Sequence, residues 1–512
     1  MFVVTLLCAL VPVAPSLAQD PPVAAPQAPS PSLEPLLGPL TEDRLFSTSK
    51  VAIQVVNLET GEEVFARNAD TALVPASTMK AVTSATAFKR LGPGYRFTTD
   101  LAVAEDLRPD GNGVLKGNLY VVGHADPTIF ADGLWKLVHD LKLEGVVKIE
   151  GNVVYDESFF DPNEYMIPGW DKDDDIENGP SYFPSIGALS VNQNSVGFVI
   201  GPGTEVGRPA RVQLDTSLDG YVKVENHVVT VSASGRESVR FQRTWNEKDK
   251  LLEFDITGTW PTDVDPQRSY RTILDPTAQF MAAFDAALDE QGVAVTGKHL
   301  RGIAPEDNDV LVQRRSDPLA SILSDMNKSS NNFIAETVLR TIGAEVYGIP
   351  GTTDKGLRVV ADYLTELGID PSEYVLVNGS GLSRKSVLRP THINAVLLDM
   401  AHDTRVGSEY RSSLAIAGVD GTLWRRLSEN PGGVRGKTGT IDGVHALVGY
   451  VEAGNHQMYG FSFLVNGISG APTAVKRLQD RFARRMFSYG APTENPGPSV
   501  GVPVVTEGDD QE

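Results

Sequence analysis

The chain has 512 residues, of which 41% are hydrophobic, 7% aromatic and 22% charged. At roughly 100–200 residues per domain this points to two to four folded units with a substantial core, and it excludes wholesale disorder or a collagen-like fibre. Forty-five Lys and Arg against 66 Asp and Glu leave a formal net charge of −21, a surface that repels a phosphate backbone, so no nucleic-acid partner is expected.

Residues 1–18 read as a secretory signal: an apolar run from Phe2 to Ala14, then Ser16-Leu17-Ala18 with small residues placed for cleavage. The run is too short for a stable membrane span, and the mature protein is expected in the periplasm. The only cysteine, Cys8, lies in this segment, and the eight histidines contain no HExxH. No disulfide, metal or cofactor is therefore expected. Residues 19–40 are rich in Pro and Ala and read as a linker. Val51 to Val56 and Glu63 to Arg67 alternate as a hairpin, and Ser77 to Leu91 has helical spacing closed by Gly92-Pro93-Gly94. From residue 96 to 274 short β-type runs such as Leu119-Tyr120-Val121-Val122 dominate, read as inserted β-rich domains. Helical spacing returns at Thr277 to Gln291, Leu319 to Ile342 and Lys355 to Leu367. Three strands follow, Val434 to Thr440, Ala446 to Val451 and Met458 to Val465. A final helix, Thr473 to Phe487, places Val475, Leu478, Phe482 and Met486 on one face, its basic residues forming a solvated one. Residues 491–512 form an acidic tail expected to be disordered.

Ser77-Thr78-Met79-Lys80 opens a helix, so residues three apart share a face and an amine can touch a hydroxyl. A serine hydroxyl is a poor nucleophile until a base takes its proton, and a lysine is such a base when burial lowers its pKa. Ser47-Thr48-Ser49-Lys50 has the same spacing without a helical pattern behind it. Two further elements follow in chain order, Ser330-Asn331-Asn332 and Lys437-Thr438-Gly439-Thr440, the order used by serine nucleophiles of the SxxK, SxN, KTG class. Ser-x-Asn has two registers here, Ser330 with Asn332 or Ser329 with Asn331.

Around these motifs the chain resembles the D-alanyl-D-alanine carboxypeptidase/endopeptidases, class C of the low-molecular-mass penicillin-binding proteins. The resemblance runs through Val74 to Lys80, Gly117 to Gly123 with Asp126-Pro127-Thr128, Met326 to Asn332, Gly379 to Arg384 and Gly418 to Leu423. It implies an α/β (α+β) fold, a penicillin-binding transpeptidase or serine β-lactamase-like catalytic domain split into residues 41–95 and 275–490 by the insertion. It also implies Ser77 as nucleophile, Lys80 as base, Ser330 and Lys437 as a proton relay, and Asn332 as the residue orienting Lys80 and substrate. This register is the one the family pattern favours. Thr438, Gly439 and Thr440 would bind an extended peptide, with an oxyanion between the N–H groups of Ser77 and Thr440. Arg384 would meet the free carboxylate of a diaminopimelate side chain. The acidic loop Asp171 to Glu177, through Asp175, would take its amine, the alternative being a solvated or cation-binding turn. Asn378 stands where relatives commonly carry Asp.

The expected substrates are peptidoglycan stem peptides, with β-lactam antibiotics as covalent inhibitors; composition and motifs leave the oligomeric state open. A serine β-lactamase shares the three motifs but gives no reason for so long a stretch between Ser77 and Ser330. A catalytically inactive cell-wall-binding scaffold would have no need of complete motifs.

Overall fold

The computed structural model describes residues 32–170, 177–215, 218, 220–468, 470 and 472–490. The expected signal segment, the acidic tail and Asp175 lie outside these residues.

A six-stranded antiparallel sheet organises the catalytic body. Its strands run in the order Ala415–Ile416, Val434–Ile441, Val444–Glu452, Met458–Asn466, Lys50–Asn57, Glu63–Arg67. Both faces are covered, which explains why these strands read as near-continuous apolar runs. Alternate residues point to opposite sides. Ala52, Val56, Ala446, Val448 and Tyr450 join a core with the helices Met79–Leu91, Leu319–Ser329, Asn332–Tyr347 and Pro390–His402. Val51, Ile53, Val55, Leu447, Phe461 and Phe463 join a second core under the final helix, Pro472–Ser488. That helix buries Val475, Leu478, Phe482 and Met486, the face expected from its spacing.

Part of the expected linker belongs to this second core. Residues Glu34–Thr41 form a helix, with Leu33, Leu37 and Leu40 buried against the sheet. Pro35 sits in its first turn, where a missing N–H costs nothing, so a Pro-rich composition concealed a helical spacing of leucines.

The chain leaves the catalytic body at Tyr95–Phe97 and returns beside itself, Ser316 N–H donating to the Phe97 carbonyl and Leu319 N–H to that of Tyr95. The return therefore falls near residue 316, not at 275. The helix Pro276–Gln291 and the strands His299–Arg301 and Asn308–Arg315 belong to the inserted part. Asn308–Arg315 pairs along the whole of Thr98–Ala104, completing a five-stranded sheet with Leu119–Gly123 and Val153–Asp156. Nor is this part purely β: the helix Ala131–Leu143 buries Leu134, Leu137, Val138 and Leu141 over that sheet. Three three-stranded sheets complete the insertion: Ala294–Val295, Lys148–Ile149 and Val114–Leu115 share that core, and the other two enclose a separate apolar core. The expected helix Leu319 to Ile342 is two helices, broken at Ser330, which has φ +61°. Among the described residues no helix is long and apolar enough to cross a membrane.

The seating of the first helix predicts a measurable contribution. Leu37 is fully buried, so Leu37→Ala should lower stability by about 2–5 kcal/mol, read as a shift in denaturant midpoint. Leu36→Ala, at a half-buried position on the same turn, should cost much less. Equal small losses would mean that this helix is not part of the folded core.

Candidate active site

Ser77 sits in the one-turn segment Ala76–Thr78 that leads into the helix Met79–Leu91. Every residue of that helix from Met79 to Phe88 is buried, so it runs through the middle of the catalytic body. The turn before it is strained: Ala76 has φ +48°, a conformation that costs a non-glycine residue about 1–3 kcal/mol. Two glycines hold it there. A Cβ on Gly381 would lie 1.9 Å from the Ala76 carbonyl oxygen, and one on Gly439 would lie 2.8 Å from that of Pro75. The glycines of the Ser-Gly-Leu and Lys-Thr-Gly stretches thus let two other segments close against the serine turn.

Lys80 is fully buried, its Nζ 3.1 Å from Ser77 Oγ, 2.6 Å from Asn332 Oδ1 and 2.7 Å from the Ser380 carbonyl oxygen. Amide and carbonyl oxygens can only accept. A neutral amine therefore spends its two hydrogens on Asn332 and Ser380 and turns its lone pair to the serine hydroxyl. Burial brings the Lys80 pKa down to about 7, although the Glu336 carboxylate pulls the other way. Glu336 is itself buried and accepts from the backbone N–H groups of Gly379 (3.2 Å) and Ser380 (2.7 Å), anchoring the segment whose carbonyl holds Lys80.

The break at Ser330 sends the side chains of the two registers to different places. Asn331 caps the second helix, its Oδ1 accepting from Ile334 N–H at 3.0 Å, while Ser329 Oγ donates back to the Asp325 carbonyl at 2.6 Å. Ser330 Oγ instead accepts from Lys437 Nζ at 2.9 Å, and Asn332 reaches Lys80. Lys437 is fully buried; burial, and then the neighbouring Lys80, lower its pKa well below the usual value. Asn332 Nδ2 donates to the carbonyl of Tyr182, which reaches the cleft from the insertion.

Thr438, Gly439 and Thr440 lie on the strand Val434–Ile441, whose outer edge pairs with Ala415–Ile416 only at Arg435 and Gly436. Beyond Gly436 that edge faces the cleft. Ser77 joins two lobes there: one of about 680 Å³ on the side of Thr438, Lys476 and Gln479, and one of about 380 Å³ lined by Arg384, Trp170, Tyr182 and Leu382. Arg384 donates from Nη2 to the Asp442 carbonyl at 2.7 Å. Asn378 accepts from Gly381 N–H at 3.0 Å and donates to the Pro168 carbonyl at 3.1 Å.

The structure therefore brings two hydrogen-bonded sets, Ser77 with Lys80 and Asn332, and Ser330 with Lys437, to one cleft and puts Thr438, Gly439, Thr440 and Arg384 around them. Ser47 is exposed and takes no part. Glu336 escaped the reading of the motifs, although its place one turn after Asn332 puts it on the same helix face. The carbonyls of Ser380 and Tyr182 left no signal, because any residue carries a carbonyl.

Known proteins are similar to this chain along nearly its whole length. A D-alanyl-D-alanine carboxypeptidase from Actinomadura sp. is 33% identical over 467 residues, covering 88% of this chain and 83% of the relative. The D-alanyl-D-alanine carboxypeptidase DacB of Haemophilus influenzae is 27% identical over 451 residues, 83% of this chain and 87% of the relative. The crystal structure of penicillin binding protein 4 (dacB) from Haemophilus influenzae superposes with a TM-score of 0.76 at 24% identity, covering 88% of this chain and 99% of that one, and shares the fold. Residues 36–486, a span that includes every motif described above, match the D-Ala-D-Ala carboxypeptidase 3 (S13) family, and the chain belongs to that family.

Proposed function

We propose that the protein is a serine D,D-peptidase of the periplasm that acts on peptidoglycan stem peptides. It removes terminal D-alanine, cleaves D-alanyl-diaminopimelate cross-links and is acylated by β-lactams. The observation that carries this reading is the buried Lys80 amine 3.1 Å from Ser77 Oγ, with both its other partners able only to accept.

Ser77 Oγ attacks the carbonyl carbon between the two D-residues while its proton passes to Lys80 Nζ. Charge developing on the carbonyl oxygen is met by the backbone N–H groups of Ser77 and Thr440, held in place before the reaction starts. The C–N bond then breaks, the leaving amine takes a proton through Ser330 and Lys437, and water releases the acyl group from Ser77. Asn332 holds Lys80 and the substrate amide. The peptide lies along the edge of the KTG strand as an added strand, its terminal carboxylate near Thr438 and Lys437. Arg384, in the lobe opposite, takes the free carboxylate of diaminopimelate on the acyl side, and Asp175 is the proposed partner of its amine.

Incubation with benzylpenicillin should attach one acyl group to the peptide containing Ser77, detected by intact mass and digestion. An adduct on Ser47, or none, would remove this function. Ser77→Ala should abolish the adduct, and Lys80→Ala should slow it by roughly a hundredfold to ten-thousandfold.

Acylation should also depend on pH with a defined sign. Only the neutral amine accepts a proton, and the Lys80 pKa is lowered to about 7. The acylation rate should therefore rise from pH 6 to pH 8 and level off above. A flat profile over that range would exclude Lys80 as the base.

The two registers separate by mutation as well. Ser330→Ala should slow acylation strongly, whereas Ser329→Ala, whose hydroxyl only returns to its own helix, should change it little. The reverse result would reassign the relay.

A further inference from the structure

The larger lobe of the cleft has a chemical character that removal of one alanine does not explain. Its volume of about 680 Å³ falls in the range of about 300–1,000 Å³ that holds drug-sized ligands, whereas a departing D-alanine is a single small residue. The far wall from Ser77 is the final helix, Pro472–Ser488, and the segment at Arg426. In a chain with a formal net charge of −21, this wall is basic. Arg426 is spoken for: it pairs with Asp480 at 2.7 Å and donates to the Lys476 carbonyl. Lys476, one turn before Asp480 on that helix, is exposed and enters no ion pair among the described residues.

The floor carries a second, independent mark. Gln479 lines the lobe with only 1% exposure, its Oε1 accepting from Arg426 Nη2 at 3.3 Å, and its Nε2 has no hydrogen-bond partner among the described residues. The orientation of the amide is not arbitrary, because a guanidinium can only donate and so must face Oε1. The donor is thereby left over, and a buried donor without an acceptor costs about 1–3 kcal/mol. His445 stands opposite Thr440 on the neighbouring strand, buried and with Nδ1 also without a partner among the described residues. Burial, and then Lys476 and Arg426, hold its pKa below the ordinary value, so the imidazole adds no charge of its own. The wall thus offers an uncompensated ammonium and an unused amide donor, with Trp424 exposed at the rim. An acceptor-rich anionic group completes that set.

We infer that this lobe receives an anionic peptide leaving group, and that Lys476 and Gln479 hold a carboxylate carried beyond the one held at Thr438. The inference rests on the D,D-peptidase reading and deepens it. It names the side of the cleft that makes the enzyme a cleaver of cross-links, in which the departing amine belongs to an acidic peptide. Arg384 would select the acyl half, and the final helix the leaving half.

Two synthetic substrates with the same acyl half ending in D-alanine test this, one with D-alanine as the leaving residue and one with D-2-aminopimelate, whose side chain carries a distant carboxylate. For the wild-type enzyme, kcat/KM should be higher with D-2-aminopimelate. Lys476→Glu should lower the ratio of the two kcat/KM values by roughly tenfold or more, because repulsion replaces attraction only for the longer leaving group. Lys476→Arg should keep most of the ratio, and Gln479→Leu should lower it less. Melting temperatures and benzylpenicillin acylation identify any variant that is merely misfolded, and Lys476→Glu, at an exposed position, is the variant that decides. An unchanged ratio, or equal losses on both substrates, overturns the inference and leaves the D,D-peptidase reading standing. A wild-type enzyme inactive on both substrates overturns that reading and the inference with it.

Discussion

A lysine amine enclosed away from water is the constraint around which the catalytic body is arranged. Lys80 is fully buried, and burial disfavours its charged form enough to bring the pKa to about 7. A buried amine still has to be satisfied, and two oxygens that can only accept, Asn332 Oδ1 and the Ser380 carbonyl, take its hydrogens. The lone pair is left to Ser77. Glu336 tempers this by raising the Lys80 pKa and by gripping the backbone that supplies the Ser380 carbonyl. Base strength and base orientation therefore come from one set of contacts.

These contacts join three segments far apart in the chain, and the KTG strand closes beside them. The sheet is covered on both faces, which fixes the KTG strand as a rigid rail beside the serine turn. The strained φ of Ala76 persists because Gly381 and Gly439 let neighbouring segments close to within distances that any Cβ would forbid. On the third side, the helix break at Ser330 turns Ser330 toward Lys437 and Asn332 toward Lys80, which an unbroken helix would not do.

The insertion reaches the same site from outside the catalytic body. Tyr182 supplies a carbonyl to Asn332, and Trp170 and Tyr182 line the lobe that holds Arg384. The final helix forms the wall of the other lobe. Ser77 thus lies between one wall built by inserted sequence and another built by the C-terminal helix, so two different surfaces flank it. The shared chemistry sits in the middle.

The three motifs, their order and the helix that begins at Ser77 were legible in the chain itself, because each is a local pattern of a few residues. So were the two-sided strands and the apolar face of the final helix, which depend only on periodicity. The helix of residues 34–41 was hidden by its prolines, and the return of the chain near residue 316 by the fact that Asn308–Arg315 has meaning only beside Thr98–Ala104. The choice of Ser330 and Asn332 over Ser329 and Asn331 rested, in the sequence, on the family pattern alone and on no physical signal. It follows from which side chain caps the helix and which reaches Lys437 and Lys80 across the fold. Sequence by itself determined which reactive groups the protein carries. Tertiary structure decided their protonation and direction, since burial and the placement of carbonyl oxygens are properties of packed segments and not of the residues within any one of them.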